Sequence, residues 1–162
     1  MSELRDLYEA EGLKNPRTYI QSGNVVFESK SKDAGKLTAS LNRAIEARFG
    51  FRADVVLRTL EEMEGLVAAN PLVARNVGPT QNVVVFLSGA LTPDVAAAVC
   101  RVCVAPEEVH SDGRHLFCYY PNGQGQSKLG AALEKELRKA PVMGTARNWN
   151  TVLKLLEMAR AI

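Results

Sequence analysis

Groups that carry catalysis are scarce in this sequence. Its 162 residues hold two histidines, three cysteines and one tryptophan. No serine stands between glycines in the strand-to-helix elbow that α/β-hydrolases use, and neither His110 nor His115 has an evident nucleophile partner. The acidic run Glu61, Glu62 and Glu64 reads as a solvated, cap-favouring helix surface. No catalytic residue and no cofactor emerge. Charge of one sign is also missing: 20 Lys and Arg against 18 Asp and Glu leave a net charge of +2. A broad electrostatic footprint for duplex nucleic acid is therefore excluded, although a local basic pocket is not. No apolar run is long enough to span a bilayer, and no charged-then-apolar signal opens the chain, so a cytoplasmic protein with no membrane partner is expected.

Cysteine is sparse and odd in number, so free thiols are expected. Cys100-Arg101-Val102-Cys103 has thioredoxin-like spacing, but it falls near the end of the helix that Thr92 and Pro93 start. A reactive thiol belongs at the opposite end, where the dipole stabilises thiolate. Adding His110 and His115 gives C-x₂-C-x₆-H-x₄-H, whose middle spacer is too short for the usual zinc finger. No metal site is assigned.

The composition is 46% hydrophobic and 23% charged, that of a globular domain able to bury a real core. The most informative stretch is Arg17-Thr18-Tyr19-Ile20-Gln21-Ser22-Gly23-Asn24-Val25-Val26-Phe27. It reads as a β-hairpin with Gly23-Asn24 as a two-residue loop. That register pairs Ser22 with Val25 and Ile20 with Phe27, and sends Ile20, Val25 and Phe27 to the core. Before it, Leu4, Leu7 and Tyr8 have helical spacing, with Gly12 as a stop. After it, Asp33 caps a helix carrying Leu37, Leu41, Ala44, Ile45 and Phe49 that Gly50 closes. The run 54–58 reads as a short strand, and Thr59 with Glu62 as the capping box of a brief helix.

Asn82-Val83-Val84-Val85-Phe86-Leu87 suits a strand covered on both faces. A helix from Thr92, a hairpin around Asp112-Gly113 and a helix carrying Leu129, Leu133 and Leu137 follow. A last helix, capped by Thr145, is expected to bury Trp149, Val152, Leu153, Leu156 and Ala159. The order is αββαβ and then βαββα with one more helix, an α+β chain of two similar halves, 1–78 and 79–162.

The hairpin stretch, with a second at Thr145-Ala146-Arg147-Asn148-Trp149-Asn150-Thr151, resembles the signature of an uncharacterised, mainly bacterial family, domain of unknown function 1697. The resemblance implies two ferredoxin-like βαββ units with antiparallel sheets and no established activity. It also implies one more strand ahead of the helix at Ser2, so the first half is expected to lack its opening, central strand and to expose unpaired edges unless the gap is filled. Either the true start of translation lies upstream, which is the favoured expectation, or the strands close up on each other, or another chain supplies the strand.

Polar residues gather in three places. Pro121-Asn122-Gly123-Gln124-Gly125-Gln126-Ser127-Lys128 leads from a strand into a helix, where backbone amides can hold an anion, but G-x-x-x-x-G-K-[ST] spacing is absent. Arg147, Asn148 and Asn150 crowd the expected start of the last helix, where a bound anion would offset the cost of arginine at the positive dipole end. Ser127, Lys128, Thr145, Arg147, Asn148 and Asn150 are thus candidate ligand contacts, with Arg17, Gln21, Ser22 and Asn24 from the first hairpin. The leading reading is a binding protein for a small anionic, phosphate-bearing ligand. A second is an interaction module that pairs an exposed sheet edge with a copy of itself or another protein. Single-stranded RNA binding is a third, resting only on Tyr19, Tyr119 and Tyr120.

Overall fold

The computed structural model describes residues 2–20 and 23–162, so Gln21 and Ser22 lie outside the described residues. The architecture is α+β with antiparallel sheets. Two compact units divide it, residues 1–61 with 154–162, and residues 62–153. The stretch 62–78, expected in the first half, is counted with the second unit.

In the first unit, α1 (Ser2–Ala10) leads into β1 (Lys14–Tyr19) and β2 (Asn24–Glu28), which form a two-stranded antiparallel sheet. The register joins Tyr19 to Asn24, Thr18 to Val25 and Arg17 to Val26. The expected register, with Ser22 opposite Val25, is therefore not adopted, since Thr18 stands opposite Val25. Asn24 fixes this register, its buried side-chain amide donating to the Tyr19 carbonyl at 3.0 Å. Ile20 consequently leaves the core face, 52% exposed and at a φ of 49°. Then α2 (Ala34–Phe49) is capped as its sequence indicates: Asp33 accepts from the Lys36 amide at 3.0 Å, and Gly50 closes the helix at a φ of 74°. The core is Leu7, Tyr8, Leu13, Leu41 and Ile45, with the Tyr8 and Phe27 rings edge to face at 5.3 Å. The expected strand at 54–58 joins no sheet.

In the second unit, α3 (Leu60–Ala69) and a 3-10 turn at Val73–Arg75 precede β3 (Asn82–Leu87). There follow α4 (Pro93–Cys100), β4 (Glu108–Ser111), β5 (His115–Tyr119), α5 (Leu129–Lys139) and β6 (Gly144–Asn148), and then α6 (Trp149–Ala161), whose residues from Lys154 on are counted with the first unit. The strands form one sheet in the order β4-β5-β3-β6, all neighbours antiparallel. All six residues of the central strand β3 are buried, as its unbroken apolar run indicates. One face of the sheet, with Val83, Val85, Leu87, Leu116 and Cys118, packs with Leu129, Leu133 and Leu137 of α5 and Val99 of α4. Val84, Phe86, His115 and Phe117 occupy the other face and are also buried.

β6 replaces the helical start expected at Thr145. The last helix begins at Trp149, with Asn148 rather than Thr145 capping it by accepting from the Thr151 amide at 2.9 Å. The cap thus lies three residues later than expected. Val152 and Leu156 are buried, Trp149 and Ala159 are half-buried, and Leu153 is 41% exposed, against the expectation that all five are core.

Candidate functional site

The anion-site residues do not converge as expected. Ser127 and Lys128 stand at the start of α5, on the sheet face of Val83, Val85 and Leu87. Arg147 pairs with Val84 and Thr145 with Phe86, so both belong to the opposite face. Ser127 is committed to structure: its hydroxyl accepts from the Leu129 amide at 3.1 Å and donates to a Glu107 carboxylate at 2.5 Å. A carboxylate there works against an anion at this helix start. Lys128 is exposed, and Asn148 is the α6 cap. Asn150 is exposed on the first turn of α6.

Thr145 and Arg147 do meet. Arg147 Nη1 donates to Thr145 Oγ1 at 2.7 Å and to the Ala146 carbonyl at 2.8 Å, and burial pulls the guanidinium pKa below its ordinary value. In the first unit, Arg17 is exposed on β1, and Asn24 serves the hairpin.

Sequence reasoning passed over a cluster on β4. Glu108 Oε1 accepts from Arg75 Nη1 at 2.7 Å and lies 2.9 Å from His110 Nε2, while the Arg75 guanidinium stacks 5.0 Å from the Tyr119 ring centre. The Arg75 hydrogen bond is the chief cause of a lowered Glu108 pKa. Arg75 and Glu108 lie 33 residues apart, with β3 and α4 between them, and no local pattern joins them.

Two of the thiols, Cys100 and Cys118, are quiet. Burial raises the Cys100 pKa and pushes Cys118 up to about 12, so neither is activated. The described residues hold no group of three or more His, Cys, Asp or Glu suited to a metal.

A different feature distinguishes the first unit. Its order α1, β1, β2, α2 and the stretch 53–57 repeats the order α4, β4, β5, α5, β6 of the second. In the second unit β3 lies between β5 and β6 and pairs with both. Among the described residues the first unit has no counterpart of β3, and β1 is the only strand neighbour of β2. The stretch 53–57 nevertheless has strand character: Ala53, Val55 and Leu57, two residues apart, pack against the α1 and α2 core. One of its amides is held from the helix side, Val55 N–H donating to Asn42 Oδ1 at 2.9 Å.

Burial follows this difference. The core-facing Leu116 and Cys118 of β5 are fully buried, whereas Val25 and Phe27 of β2, and Ala53, Val55 and Leu57, are only half-buried. Side chains of the right kind and spacing thus lie over a core that is partly open.

The family described as "Protein of unknown function (DUF1697)" matches residues 1–117. The chain belongs to the DUF1697 family. The match takes in the first hairpin and ends within β5, so the stretch 145–151 lies beyond it. No curated protein and no solved structure matches this DUF1697 chain.

Proposed function

We propose that the chain is a protein-interaction module that accepts an extended segment of a partner along the open side of β2. The observation that supports it is the half-burial of Val25 and Phe27, whose counterparts on β5 are buried beneath a neighbouring strand. Added strands gain affinity from main-chain hydrogen bonds and specificity from pockets for alternate side chains. The first unit offers both, an edge beside β2 and an apolar floor of Leu7, Tyr8, Leu41 and Ile45. This reading stands ahead of a small anionic ligand, which needs Lys128 and Arg147 on one face of the sheet. It stands ahead of RNA stacking because Tyr120 is buried and Tyr119 is covered by Arg75.

Panning displayed libraries of short random peptides against the purified chain tests the reading. The recovered peptides should be rich in Val, Ile, Thr and aromatic residues and should slow amide exchange in β2. Peptides that bind while leaving β2 exchange unchanged would overturn it.

A further inference from the structure

We infer that Cys100 and Cys103 form a redox modification site, an intrachain disulfide made by exchange with a small-molecule disulfide such as oxidised glutathione and reopened by a dithiol. Cys100 is the last residue of α4. The helical turn continues through Arg101, at φ −83° and ψ −7°, and Val102, whose amide donates to the Val99 carbonyl at 3.3 Å. Residues three apart on a helical turn have Cα atoms about 5 Å apart, within the window of about 4.4–6.8 Å that a disulfide accepts. The Cys103 side chain is already folded back over this turn, its thiol donating to the Cys100 carbonyl at 3.3 Å. Joining the two sulfurs asks the end of α4 to tighten and leaves the sheet in place.

Access separates the three thiols. Cys100 and Cys103 are half-buried, and Val104 beside them is 76% exposed, so the pair lies at the surface of its unit. Cys118 is fully buried in the core cluster against which both of them pack. It is held between Val83 of β3 and Val109 of β4, its partners across the sheet, and cannot swing out to meet a reagent.

The exchange runs in two steps. The Cys103 thiolate attacks one sulfur of oxidised glutathione, forming a mixed disulfide and releasing one glutathione thiolate. The Cys100 thiolate then attacks the Cys103 sulfur, forming the intrachain bond and releasing the second. The chain gives up two electrons and two protons, and the reagent leaves as two molecules of glutathione. Burial and the neighbouring Cys103 raise the Cys100 thiol, which therefore suits the second, intramolecular attack and leaves slowly once bonded. Neither thiol stands at a helix N-terminus, so the pair records the redox state of its surroundings rather than catalysing exchange in other proteins.

The test incubates the full chain with excess oxidised glutathione at mildly alkaline pH, then alkylates every remaining thiol with iodoacetamide in urea and maps the peptides by mass. The oxidised chain should carry one alkyl group, on Cys118, and should carry three after treatment with dithiothreitol. Cys100→Ser should hold glutathione on Cys103 as a lasting mixed disulfide. Three alkyl groups on the glutathione-treated parent chain would overturn the site. Glutathione that persists on Cys103 of the parent chain, or a disulfide that includes Cys118, would overturn the pairing. The parent chain decides these outcomes by itself, whether or not the variant folds.

Discussion

The side-chain oxygen of Asn42 on α2 accepts the backbone amide of Val55 at 2.9 Å. The equivalent strand of the second unit, β6, is held by a ladder to β3 instead. One side chain thus partly substitutes for a strand. Asn42→Ala should lower stability by about 1 kcal/mol, the scale of a hydrogen bond lost at a half-buried site. Urea titration measures the loss, and amide exchange at Val55 should quicken.

Gly144 opens β6 and pairs with Leu87 of β3. A Cβ at this position would stand 2.6 Å from Val85 Cγ1, with Leu137 Cδ1 at 3.4 Å and Leu87 Cδ2 at 3.5 Å behind it. Those neighbours belong to the packed core of the second unit and have little room to retreat. Gly144→Ala should therefore destabilise by about 1–3 kcal/mol, seen as a lower thermal midpoint.

Asp112 organises the second hairpin, accepting from the amides of Arg114 at 3.0 Å and His115 at 2.8 Å and lying 2.9 Å from His115 Nδ1. Burial acts to raise its pKa, but the hydrogen bonds from the His115 ring and the two amides outweigh it and hold the carboxyl below its ordinary 3.8. A depressed folded-state pKa contributes stability that is fully present above 3.8 and is lost as pH falls through the lower folded value. Urea titrations stepped through this acid range should show Asp112→Asn with a shallower loss than the parent chain.

Cys118 has no measurable exposure, and burial pushes its thiol up to about 12. Ellman's reagent at neutral pH should leave it unmodified in the native chain and modify it once urea unfolds the second unit. Modification in the native state would show that the core between the sheet and α5 opens readily.

Much of the fold was legible because burial and capping leave local marks. The apolar run 82–87 announced β3, and Asp33 with Gly50 bounded α2. β6 was not legible. Its sequence Gly-Thr-Ala-Arg-Asn has no β-branched run, and only its ladder to β3 makes it a strand. The converse holds at 54–58, where strand-forming residues lack the neighbour that would draw them into a sheet. The first hairpin misled for a third reason. Gly23-Asn24 fits a two-residue turn, but Asn24 is part of β2, paired with Tyr19 and bonded through its side chain to the Tyr19 carbonyl. Of the proposed anion contacts, Thr145 and Arg147 were brought together, on a strand rather than a helix. That β2 pairs only with β1 among the described residues agrees with the expected absence of a central strand in the first half. Its partly open floor is a tertiary property that no local pattern records.

The central claim is that, among the described residues, β2 has a strand neighbour on one side only. Native-state hydrogen exchange on the free chain, resolved by residue, tests it most directly. The account predicts that amides of β3 and β5 exchange only through global opening, while amides of 53–57 and of the open side of β2 exchange orders of magnitude faster, Val55 being slowed by Asn42. Protection of β2 and 53–57 as strong as that of β3 would contradict it, because every backbone group there would already have its partner.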